Sequence, residues 1–72
     1  MPSSATLDQV QAHFRRSSYP QMAAYVADVD NGVVTLAGEA PTYYAKQVVQ
    51  TIAARCPGVA HVANAVEVRS WR

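Results

Sequence analysis

The chain has 72 residues, of which 50% are hydrophobic, 15% charged and 8% aromatic, and it carries a formal net charge of +1. That length holds one core, read as a single domain over residues 1–72 with its core at about 6–69, and the composition is too apolar for a disordered solvating segment. The weak charge and six scattered basic residues exclude the basic stripe of a dedicated duplex-binding protein, and no run approaches the roughly 18 apolar residues of a membrane span.

The spacing of Leu7, Val10 and Phe14 predicts a helix over Thr6 to Ser17, with Thr6 and Gln9 placed for a capping box. Asp8, Ala12, Arg15 and Arg16 fall on its solvated face. Ser17, Ser18 and Tyr19-Pro20 end it, since serine favours local turns and the residue before proline avoids the α region. Within Ala23 to Gly38, Asn31-Gly32 predicts a two-residue type I′ turn. Counting outward from that turn pairs Asp30 with Val33, Val29 with Val34, Asp28 with Thr35, Ala27 with Leu36, Val26 with Ala37 and Tyr25 with Gly38. One face then reads Tyr25, Ala27, Val29, Val34 and Leu36, so turn chemistry and period-2 alternation agree. Tyr25 is expected to lay its ring over Gly38, where no side chain competes for the space.

Thr42 can cap a second helix, in which Ala45, Val48, Val49, Ile52, Ala53 and Cys56 form one apolar stripe. Cys56-Pro57-Gly58 stops it, because proline cannot continue the ladder and glycine frees the exit turn. From Val59 the alternation predicts a third strand, with Val62, Asn64, Val66 and Val68 inward and Ala63, Ala65, Glu67 and Arg69 outward. Ser70-Trp71-Arg72 either extends that strand or frays. The order helix, strand, strand, helix, strand makes an α+β fold, αββαβ. Strands one and two run antiparallel, strands two and three parallel, and both helices pack on one face of the three-stranded sheet. The other face is expected to stay open, carrying Val26, Asp28, Val33, Thr35, Ala37, Ala63, Ala65 and Glu67.

Gly32, Val34, Leu36 and Gly38 spell Gly-x-Val-x-Leu-x-Gly, and Gly58, Val59, Val62 and Asn64 spell Gly-Val-x-x-Val-x-Asn. The pair resembles the two signatures of the BON domain, and the likeness runs from about Leu7 to Val68. This resemblance implies an αββαβ fold and a non-catalytic role, with attachment to phospholipid membranes or participation in bacterial envelope assemblies. The matched glycines and inward valines transfer architecture and carry no chemistry. Met1 to Ser18 lacks the apolar centre of a signal peptide, so the expected location is cytoplasmic for a complete chain. For a domain cut from a longer exported protein it is periplasmic or envelope-associated.

The chemical candidates read as structural. His13 and His61 have no second ligand at metal spacing, and Cys56 falls on an apolar stripe, where it acts as a small hydrophobe. Asp28 and Asp30 solvate the strand beside a turn. Asn31, Gly32, Gly38 and Gly58 serve turns and strand ends, and the inward Asn64 is expected to brace backbone near a helix end. The expectation is therefore no enzyme, no catalytic or metal site and no cofactor.

Two readings of function remain. The first is a binding or assembly module that self-associates or binds protein through the open sheet face or an unpaired edge, using Val26, Val33 and Ala37, with Tyr43 on the solvated side of the second helix. The alternative is peripheral attachment to anionic phospholipid through Arg15, Arg16, Arg69 and Arg72, with Trp71 beside the last two. Nucleic acid ranks last, because the open face shows no aromatic on which a base could stack.

Overall fold

The computed structural model describes residues 5–69. Helix α1 spans Leu7–Arg15. Its capping box is complete: the Gln9 N–H donates to Thr6 Oγ1 at 3.3 Å, and the Thr6 N–H donates to Gln9 Oε1 at 3.0 Å. Val10 and Phe14 are fully buried, whereas Leu7, on the same stripe, is 39% exposed. A 3-10 helix follows over Pro20–Tyr25, with proline pre-set at its start and Met22 buried beneath it. This segment was not anticipated, and it moves the start of strand β1 from Tyr25 to Val26.

Strands β1 (Val26–Asp30) and β2 (Val33–Leu36) form the antiparallel hairpin. Asn31 (φ 52°) and Gly32 (φ 78°) are both left-handed, as a type I′ turn demands. Three pairs keep the turn-derived register, Asp30 with Val33, Val29 with Val34 and Asp28 with Thr35. The next pair is Val26 with Leu36, so Ala27 is an extra residue in a β-bulge. This corrects the expected faces. Val26, assigned to the open surface, is buried in the core, and Ala27, assigned to the core, is exposed. Valine carries two more carbons than alanine, so the exchange gains about 1.5 kcal/mol at roughly 0.8 kcal/mol per buried methylene.

Beyond β2 the chain enters strand β3 (Glu39–Ala40), helix α2 (Tyr43–Ala54), strand β4 (His61–Asn64) and strand β5 (Glu67–Val68). The Ala45 N–H donates to Thr42 Oγ1 at 3.1 Å and caps α2. Strand β4 lies parallel to β2, giving a three-stranded sheet in the order β1-β2-β4, and β3 pairs with β5 in a two-stranded parallel sheet. The single third strand read from the alternation is thus divided at Ala65-Val66, and the second small sheet was not foreseen.

The division is a kink and not a slip. In both parallel ladders each residue pairs with one 28 positions further on. The Ala65 N–H donates to Leu36 O at 2.8 Å and the Glu67 N–H to Gly38 O at 2.9 Å, bridging the gap. One cluster fills the space between sheet and helices, drawing Val10 and Phe14 from α1, Val26 from β1, Val34 and Leu36 from β2, Val49 and Ala53 from α2, and Val66 from the kink between β4 and β5.

Candidate functional site

The residues marked by the sequence divide into braces and surfaces. Asn64 is a brace. Its Nδ2 donates to Lys46 O at 3.2 Å and to Gln50 Oε1 at 3.0 Å, while its Oδ1 accepts the Val66 N–H at 3.1 Å. Val66 is buried at the kink, and its neighbours Ala65 and Glu67 direct their N–H groups to the preceding strand. The Val66 N–H therefore points away from that strand, and the Asn64 side chain supplies its acceptor.

Gly32 joins the two flanks of β2. Its carbonyl accepts from the Ala60 N–H at 2.7 Å and the His61 N–H at 3.2 Å, and a Cβ there would meet Gly58 O at 3.0 Å. At Gly38 (φ 115°) a Cβ would lie 3.4 Å from the Tyr25 ring, which covers this backbone, and the Tyr25 hydroxyl donates to Glu39 O at 3.1 Å. Asn31 and Gly58 (φ 88°) occupy the hairpin turn and the turn after α2.

The surfaces differ in charge. Alternation with buried Val34, Leu36, Ala40 and Val66 directs Asp28, Asp30, Glu39 and Glu67, all exposed, to the side opposite the helices. Of the five carboxylates in the chain, only Asp8, on α1, lies elsewhere. Between these four acids the outer face is built from small or β-branched side chains, with Val33, Thr35, Ala37 and Ala63 half-buried and Ala65 exposed.

Basic side chains gather where the two helices end. His13 and Arg15 occupy the last turn of α1, Arg16 is its C-cap, and Arg55 is the C-cap of α2. An open groove of about 350 Å³ separates the helix ends, lined by His13, Arg16, Cys56 and Gly58 among others. A second of about 300 Å³, lined by Tyr19, Ile52 and Arg55, shares His13 with it. The terminal carbonyls of both helices carry partial negative charge, which these side chains offset locally.

Burial pushes the Cys56 thiol up, and Arg16 pulls it partly back. That environment keeps the thiol protonated, the opposite of what a nucleophilic cysteine requires. The neighbouring Tyr44 phenol pushes the Tyr19 phenol up. Among the described residues no three His, Cys, Asp or Glu side chains are grouped to hold a metal, and no helix is long and apolar enough to cross a membrane.

The structure does not bring the marked surface residues into one site. Arg15 and Arg16 belong to the helix-end cluster, while Val33 and Ala37 belong to the outer sheet face. Tyr43, 64% exposed, opens α2 roughly 18 Å along its axis from Arg55, at about 1.5 Å per residue. Arg69 is paired with Glu39 at 3.1 Å on the sheet side, and both partners are more than half exposed, so the pair contributes under about 1 kcal/mol. Val26 is withdrawn into the core, and Trp71 and Arg72 lie outside the described residues.

Sequence reasoning missed Arg55 as a partner of Arg15 and Arg16. The only available signal was that each stands at a predicted helix C-terminus. Comparison with known families finds a model described as BON domain that matches residues 3–70. No curated protein and no solved structure matches the chain.

Proposed function

We propose, since the chain belongs to the BON domain family, that it attaches peripherally to anionic phospholipid surfaces through the C-terminal ends of its two helices. BON domains are generally non-catalytic and are associated with phospholipid or membrane binding. The observation that carries the reading is the separation of charge. Arg15, Arg16 and Arg55 stand at the helix ends, and four of five carboxylates face away on the sheet. A net charge of +1 therefore conceals two unlike sides, and an acidic surface attracts one while repelling the other.

Each arginine near such a surface contributes about 1 kcal/mol, so attachment is weak and fades as salt screens it. Co-sedimentation with vesicles tests this directly. Binding to phosphatidylglycerol vesicles and not to neutral phosphatidylcholine is expected at low salt, with loss in Arg15→Glu/Arg16→Glu. No binding to the acidic vesicles at low salt rejects the proposal.

A second reading, protein binding through the outer sheet face, is supported by the patch of small side chains that Val33, Thr35, Ala37 and Ala63 form there. The strand edges are less suited to this. The Ala27 bulge and the charges of Asp28 and Asp30 disrupt the β1 edge, and Asn64 already occupies the Val66 N–H on the other.

A further inference from the structure

We infer that the outer sheet face docks on the helix ends of a second copy of this chain, head to tail. The inference rests on reading that face as a protein-binding surface, and it assigns the partner by charge. Packing the face against its own copy would oppose Asp28, Asp30 and Glu67 to one another, Glu39 being paired with Arg69, and packing helix ends together would oppose Arg15, Arg16 and Arg55. Of the three packings, the face against the helix ends brings the most unlike charges together. The centre of the face suits that partner, because the small side chains of Val33, Thr35, Ala37 and Ala63 leave arginine stems room to lie flat while their heads reach the flanking carboxylates.

Size sets the strength. Three strands about 4.8 Å apart and four or five residues long present roughly 15 by 15 Å, far below the ~800 Å² per partner of a stable interface. The contact is therefore weak, dominated by electrostatics, and visible only at high protein concentration and low salt. Because the two patches lie on different sides of one chain, each copy offers a free face and a free helix end after docking. Association does not close at two but continues.

Sedimentation velocity across a concentration series up to near-millimolar, in about 20 mM and about 500 mM salt, tests this. The expected result is a mass that climbs past the dimer at low salt and returns to the monomer at high salt. Asp28→Lys/Asp30→Lys and Arg15→Glu/Arg16→Glu, each shown folded by circular dichroism, are expected to remain monomeric alone. Their equimolar mixture is expected to associate again, since each variant then offers what the other lacks.

A wild type that stays monomeric at low salt overturns the inference. So does one that stops at a dimer, one that associates equally at high salt, or a mixture that fails to recover. Association abolished by the aspartate reversal but untouched by the arginine reversal keeps the sheet face as a protein surface and overturns the head-to-tail partner. Indifference to both reversals overturns the two together. Vesicle co-sedimentation of the same variants is an independent readout of the lipid proposal.

Discussion

Along one side of β2, the antiparallel β1 follows the turn-derived register for three pairs and then shifts at Ala27; on the other, β4 along β2 and β5 along β3 hold one parallel offset from Val33 to Ala40, through a kink. The turn joining β1 to β2 is as strong a local signal as a sequence offers, yet it governs only the residues near it. At the far end of the hairpin, burial of Val26 in place of Ala27 decides the pairing. The parallel side has no turn. It is held at its start by the Gly32 carbonyl and at its kink by Asn64.

The sharpest way to break this comparison is to place a charge on either side of the bulge. Val26→Asp puts a carboxylate into the core without a partner and should cost on the order of 3–5 kcal/mol in urea denaturation. Ala27→Asp is exposed and should stay within about 0.5 kcal/mol. A register without the bulge demands the reverse order, so a tolerant Val26 would refute the hairpin described above.

Gly32→Ala strains both flanks at once. It places a Cβ 3.0 Å from Gly58 O at a left-handed φ of 78°. A loss of about 2 kcal/mol, seen as a Tm lower by roughly 10 °C, is expected. A Tm unchanged within error would mean that the turn is not the junction of the two flanks.

Asn64→Ala probes the parallel side alone. It leaves the buried Val66 N–H without an acceptor and removes the donors to Lys46 and Gln50, for a loss of about 1–3 kcal/mol. Hydrogen exchange should accelerate first at Val66, ahead of the hairpin amides. Equal acceleration on both sides of β2 would show that the kink has no brace of its own.

The smallest expected effect is one of pH. The Cys56 thiol is pushed up chiefly by burial, so the fold favours its protonated form. Its contribution to stability is complete below the ordinary thiol range and is lost as pH rises from about 8.5 through the higher folded value. Denaturation curves from neutral to alkaline pH should therefore fall more steeply in wild type than in Cys56→Ala. Parallel curves would show that the thiol ionises in the folded chain as freely as in the unfolded one.

Much of the fold was legible in the sequence because its signals are local. Thr6 with Gln9, Thr42, Asn31-Gly32 and Cys56-Pro57-Gly58 each act within a few residues, and together they delimit the helices and the hairpin. The stripe containing Val49 and Ala53 and the alternation through Val34 and Leu36 then identified the faces that meet in the core. The surfaces were less legible. Arg15 and Arg16 are visible as neighbours, but Arg55 joins them only because α1 and α2 end beside two grooves that share His13. Likewise Asp28, Asp30, Glu39 and Glu67 become one acidic side only when β1, β3 and β5 take their places around β2 and β4.

Cap chemistry, turn chemistry, apolar period and glycine spacing by themselves determined the two α-helices and the hairpin between them, the α+β class and the family resemblance, since each depends on residues close in the chain. The bulge at Ala27, the kink at Ala65-Val66 and the opposition of an acidic sheet face to basic helix ends were decided by the tertiary structure. Each arises from which distant side chains share burial and which element ends meet, quantities that have no value until the chain has folded.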